Sequence, residues 1–193
     1  MIPRIIITIW LTLVMGSAFS DCTKSDIDQL EKKLSSFKTL SLDFIEGNKT
    51  GVISIQKPGM MRIDYNKPEK ISIIVADGVV TYYDYELDEL TKIRQDPTFL
   101  TFLAKDRVNF VKDFETFACT IQDSHMTLLL SLHNEEGEKI NLKMSFLQSN
   151  FNKVEILLHN NKKTVLFFKN ITYNQKLDAN QFNFRDKSFY NID

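Results

Sequence analysis

A mainly β fold with helices is what this sequence predicts: a meandering antiparallel sheet of about eleven short strands with two main helices. Three observations predict it. From Thr39 onward apolar residues recur at every second position, in short stretches separated by polar turns. Asp77-Gly78, between two such stretches, is a hairpin signal, because both central residues of a type I′ turn need positive φ. Ahead of the alternating region, Ile27, Leu30, Leu34 and Phe37 recur at helical spacing on one face.

The elements follow in order. Residues 1–20 read as a signal peptide: Arg4 supplies a positive charge, Ile5 to Val14 is apolar apart from Thr8 and Thr12, and small residues follow. Ala18 and Ser20 place cleavage before Asp21, and the apolar run is shorter than the ~18–20 residues of a spanning helix. Residues 21–193 then form a single domain, exported as a soluble protein. Its helix is expected to start at the capping box Ser25-x-x-Asp28. Strands are expected around Leu40–Phe44, Val52–Gln56, Met60–Tyr65, Ile71–Ala76, Val79–Tyr85 and Leu87–Ile93. Asp96-Pro97 is an N-cap with proline at the first helical position, opening a short apolar helix with Phe99, Leu100, Phe102 and Leu103. Strands resume at Phe114–Ile121, Met126–Leu132, Ile140–Phe146, Val154–His159 and Thr164–Tyr173, and a last helical turn is expected at Asp178–Gln181.

The inward faces of these strands are unusually apolar. Met61, Ile63 and Tyr65 share one face, as do Ile71, Ile73 and Val75; Leu128, Leu130 and Leu132; and Ile140, Leu142, Met144 and Phe146. Two short helices are little cover for such a sheet. Either it closes into a barrel packed on itself, or a concave apolar surface remains for a ligand.

Other chemistries find little support. A net charge of −1 with scattered lysines gives no nucleic-acid footprint. No phosphate loop, G-x-S-x-G elbow or Cys-His pair is present, so an enzyme is not expected and no catalytic residue is assigned. His125, His133 and His159 are dispersed at strand ends and turns, so neither a metal site nor a cofactor is expected. The acidic run Asp84 to Glu89 reads as a solvated hairpin edge rather than a carboxylate pair. Cys22 and Cys119 either pair in an oxidising compartment, or Cys119 is a small buried hydrophobe.

One segment carries a more specific pattern. Lys57-Pro58-Gly59, Met61-Arg62-Ile63-Asp64-Tyr65, Pro68, Asp77-Gly78 and Tyr82-Tyr83-Asp84 resemble the LolA family of periplasmic lipoprotein carriers in order and spacing. The likeness runs from Asp26 to about Phe184 and closes on Asn170-Ile171-Thr172-Tyr173-Asn174, Leu177-Asp178 and Phe182-Asn183-Phe184. It implies an unclosed antiparallel β half-barrel with a helical lid over a hydrophobic cavity, as in LolA and LolB. It also implies a monomer that takes lipoprotein acyl chains from an inner-membrane LolCDE-type ABC transporter to a LolB-like outer-membrane acceptor.

Carried onto this chain, the lid falls on Phe99, Leu100, Phe102 and Leu103. The lipid cavity falls on Met61, Ile63, Tyr65, Ile73, Val75, Leu130, Leu142 and Met144. The latch that holds the lid falls on Lys57, where the family has arginine; lysine keeps the charge but loses the planar fork. Met61 and Ile63 replace two aromatics, the connection Glu46–Thr50 is short, and Phe184-Arg185-Asp186 lacks the family's Pro-Pro. The same superfamily fold also admits a LolB-like receptor, lipidated on Cys22, or an RseB-like lipid-sensing interaction module with a second domain.

Overall fold

The computed structural model describes residues 20–94, 101–133, 137–158 and 160–183. Residues 1–19, which hold most of the expected signal peptide, lie outside the described residues, as do Pro97, Phe99, Leu100, His159 and Phe184.

The described chain runs β1 (Ser20–Asp21), α1 (Lys24–Ser36), β2 (Thr39–Glu46), β3 (Lys49–Gln56), β4 (Met60–Lys67), β5 (Ile71–Ala76), β6 (Val79–Asp84) and β7 (Glu89–Arg94). After a 3-10 turn (Thr101–Ala104) and α2 (Phe110–Asp113) come β8 (Thr116–Gln122), β9 (His125–His133), β10 (Lys139–Leu147), β11 (Asn150–Leu157) and β12 (Lys163–Tyr173). A second 3-10 turn (Ala179–Phe182) closes the described chain. The eleven strands expected from alternation are β2 to β12; the two-residue β1, paired with Ile121 and Thr120 of β8, is the addition.

All the strands form one antiparallel sheet in the order β1-β8-β9-β10-β11-β12-β2-β3-β4-β5-β6-β7. It is unclosed, with β1 and β7 at its two ends. Two meanders, β2–β7 and β8–β12, join side by side through β12 and β2, where Phe168 faces Phe44. This order dictates where the cover lies. Because β7 ends one edge and β8 lies one strand from the other, the connection between them must cross the opening of the half-barrel. The Thr101–Ala104 turn and α2 both belong to that connection.

Local chemistry explains most element boundaries. The capping box is Thr23-x-x-Asp26, two residues ahead of the expected Ser25-x-x-Asp28: Thr23 N–H donates to Asp26 Oδ2 at 2.8 Å, and Asp26 N–H donates to Thr23 Oγ1 at 3.3 Å. Ser25 instead sits in the first turn, accepting a bond from Gln29 Nε2. Asp77 and Gly78 have φ of 51° and 73°, as the hairpin signal requires. Gln148 and Ser149 (φ 49° and 61°) make an equally tight turn, so β11 starts at Asn150 and not near Val154.

The expected second helix is reduced, within the described residues, to the 3-10 turn Thr101–Ala104. α2 was not foreseen. Its N-cap is Asn109, whose side chain accepts the N–H of Lys112 at 2.9 Å.

Gly51 marks a place where backbone approaches side chain. A Cβ there would stand 2.1 Å from the Asp64 carbonyl oxygen and 2.5 Å from the Phe44 ring. The Phe44 ring crosses this bare backbone to meet Tyr65 edge-on, centroids 5.0 Å apart. Gly51→Ala is therefore expected to lower stability by about 2 kcal/mol through overpacking, read as a denaturant midpoint shift. An unchanged midpoint would show that the strand moves aside freely.

Candidate functional site: an apolar hollow on the concave face

The inward faces assemble by register. Ile53 of β3 faces Ile63 of β4, which faces Ile73 of β5. Beside that row, Met61 faces Val75, and Val75 faces Val80 of β6. Ile156 of β11 and Leu166 of β12 close the other side, and Glu46 stands at the hairpin end of β2. Together they bound a hollow of about 200 Å³ on the concave face. Met61, Ile63, Tyr65, Ile73 and Val75, five of the eight residues expected at a cavity, line it.

Leu130, Leu142 and Met144 do not line this hollow. Leu130 faces Leu142 across β9 and β10, and all three side chains are buried in the packed core. A larger hollow, of about 580 Å³, touches Leu130 and Leu142. It opens on the other face of the sheet, beside the exposed Leu129 and Leu157. There Glu155 pairs with Lys153 at 2.7 Å and Lys163 at 2.6 Å, and these lysines hold its carboxyl down at about 2. Size favours that outer hollow. Chemistry favours the inner one, whose walls are side chains of the concave apolar face.

The crossing segment packs down through aromatics. Phe102 and Leu103 are buried, and Phe102 lies 5.4 Å from Phe114 and 6.3 Å from Phe110, centroid to centroid. Phe110, wholly buried, stacks on Phe117 of β8 at 5.7 Å. Backbone and polar bonds tie the segment to its neighbours: Gly59 N–H donates to Ala104 O at 2.8 Å, Val108 N–H to Ser35 Oγ at 3.0 Å, and Phe110 N–H to Glu31 Oε1 at 2.7 Å.

Lys57 is buried beside this cover, but its ammonium reaches α1 rather than the Thr101–Ala104 turn. Nζ donates to Leu34 O at 2.6 Å, one of the unpaired carbonyls at the helix C-terminus, and lies 4.1 Å from the centre of the Phe37 ring. Burial pushes the Lys57 amine down to about 8, against the opposing pull of Asp106. Among the described residues, it is the backbone N–H of the neighbouring Gly59 that bonds the turn.

Arg62 points to the other face of β4. Its Nε donates to both oxygens of Asp64 at 2.8 and 2.7 Å, Nη1 to Gln181 O at 2.8 Å, and Nη2 to Ser72 Oγ at 3.1 Å. It thereby pins the last 3-10 turn, with Phe182 buried, to the outside of the sheet.

Several other titratable groups have structural duties. His125 and His133 stand at opposite ends of β9, and His133 Nδ1 meets Glu115 at 2.5 Å. Asp84 accepts the N–H groups of Glu86 and Leu87, and Asp88 accepts Tyr83 Oη–H, which shapes the β6–β7 turn. Cys22 and Cys119 form a disulfide, resolving the alternative that sequence left open.

Sequence reasoning missed Phe110, Phe114 and Glu46 as parts of this site. Phe110 and Phe114 are one helical turn apart, a signal obscured by the strand that follows. Glu46 continues the inward series Leu40, Leu42, Phe44, so a charge at that position was visible.

The described chain is thus an open antiparallel half-barrel with an apolar hollow on its concave face and a separately packed crossing segment. Residues 38–185 match the family Outer membrane lipoprotein carrier protein LolA, and the chain belongs to that family. It is similar to the outer-membrane lipoprotein carrier protein of Pseudomonas paraeruginosa, 25% identical over 201 residues that cover 94% of each chain. The carrier of Azotobacter vinelandii is 24% identical over 173 residues, 82% of this chain and 80% of that protein. An uncharacterized protein of Rickettsia prowazekii is 25% identical over 169 residues, 85% of this chain and 78% of its own length.

Proposed function

We propose that this protein is a non-catalytic periplasmic carrier that holds the acyl chains of lipoproteins against its concave face and shuttles them from the inner to the outer membrane. On this reading residues 1–20 are removed on export, 21–193 work as a single domain, and the carrier acts as a monomer. An inner-membrane LolCDE-type transporter loads it and a LolB-like acceptor unloads it. The observation that carries the reading is the apolar hollow on the concave face of an open half-barrel, in a chain of this family. The hollow, about 200 Å³, is smaller than the ~300–1,000 Å³ typical of small-molecule sites. Acyl chains must therefore displace packed side chains, and on this reading Phe102 and Leu103, which belong to the crossing segment and not to the sheet, are the ones that yield. Each methylene buried contributes about 0.8 kcal/mol, enough to offset that repacking over one chain.

The receptor alternative needs an acyl thioether on Cys22, whose sulfur is bonded to Cys119 instead. Binding of a naphthylamine fluorophore, displaced by an acylated peptide, tests the carrier reading. Placing a charge in the hollow with Ile73→Lys is expected to weaken probe binding at least about tenfold, because an unpaired charge among apolar walls is costly. If the purified protein binds neither probe nor acylated peptide, the carrier reading fails.

A further inference from the structure

The hollow is not purely apolar. Among the described residues lining it, Tyr65, Thr164 and Glu46 are the polar ones, and Glu46 alone carries a charge. Tyr65 Oη–H donates to Glu46 Oε2 at 2.9 Å, and burial together with this carboxylate pushes the phenol well above the usual tyrosine range. Oε1 takes no hydrogen bond from any described residue. Lys49, opposite Glu46 in the register, does not pair with it; its Nζ lies 5.7 Å from the centre of the Tyr65 ring.

Glu46 is half-buried at the rim of the hollow, where the Tyr65 phenol fixes the direction of its carboxylate. One phenol serves one oxygen. What suits the other is a donor carrying positive charge, brought by whatever enters, since charge-assisted hydrogen bonds are the strong ones. We propose that Glu46, oriented by Tyr65, is a specificity residue that selects acyl ligands bearing an ammonium head over those with neutral or anionic heads. The proposal rests on the carrier reading. The ammonium has two chemical sources, the free amino terminus of an acylated peptide or the head of an aminophospholipid.

Dodecylamine, dodecanol and dodecanoate, each below its micellar concentration, are to displace the naphthylamine fluorophore from the purified protein at neutral pH. Dodecylamine is expected to compete about tenfold better than dodecanol, with dodecanoate weakest. Glu46→Gln is expected to bring amine and alcohol within about twofold while both still bind. Should that variant not fold, Lys49→Met gives the second reading, since losing a nearby cation is expected to widen the preference for the amine. Equal displacement by all three, or a preference for dodecanoate through Lys49, overturns the proposal and leaves the carrier reading standing. Failure of every probe to bind sinks both. A diacylated cysteinyl peptide against its N-acetyl form, and phosphatidylethanolamine against phosphatidylglycerol, then separate the sources. Discrimination in the first pair assigns the ammonium to the peptide, in the second to a phospholipid, and in neither overturns the proposal.

Discussion

Reducing the Cys22–Cys119 disulfide is expected to lower the unfolding free energy by about 4 kcal/mol, because the bond closes a loop with a sequence separation of 97. For a chain of this length that is a fall of about 10 °C in Tm. The bond fixes the start of α1 to β8, where Cys22 N–H also donates to Cys119 O at 3.2 Å. β1 adds only two residues of pairing at the same place. The far end of α1 keeps independent ties, through Glu31 to Phe110, Ser35 to Val108 and Lys57 to Leu34. Reduction should therefore act on stability much more than on the closed arrangement of the cover. Thermal unfolding with and without a thiol, beside Cys22→Ser/Cys119→Ser, checks this. Coincident melting curves would mean that the denatured chain gains no freedom when the bond is broken.

The sheet was legible because alternation in β2 to β12 is written residue by residue, and turns such as Asp77-Gly78 state their geometry outright. The cover was less legible. Short segments carry too few residues for a helical period to emerge, so the Phe110–Phe114 turn merged with the strand after it. Alternation also tells inward from outward but not cavity from core. Leu130, Leu142 and Met144 carry the same pattern as Met61, Ile63 and Ile73, yet only the second set borders the hollow. The difference lies in what packs opposite each strand, and that is set by the order of strands rather than by their composition. The disulfide was undecided for a similar reason: the separation of 97 places no constraint on distance until β8 is known to lie beside the chain entering α1.

Raising the pH from 8 to 10.5 is expected to stabilise the wild-type protein relative to Lys57→Met by at most about 3 kcal/mol. The sign follows from burial. In the folded protein the Lys57 amine lies near 8, whereas the unfolded chain keeps its proton up to about 10.5. Below pH 8 both states are charged and the full cost of burying the ammonium is present. Between the two values the folded protein sheds its proton first, so stability from this group rises with pH, and above them it is level. The uncharged amine still has N–H groups to give Leu34 O, so the bond to α1 survives while the burial cost disappears. Lys57→Arg separates charge from reach, because a guanidinium stays protonated throughout and should show no such rise. Denaturant titrations of the three proteins across this range decide the matter. Parallel curves for wild type and Lys57→Met would place the amine in water in solution. A rise confined to the wild type would identify the lysine, where the family resemblance has arginine, as a tie between α1 and the β3–β4 turn whose burial cost disappears as its proton leaves.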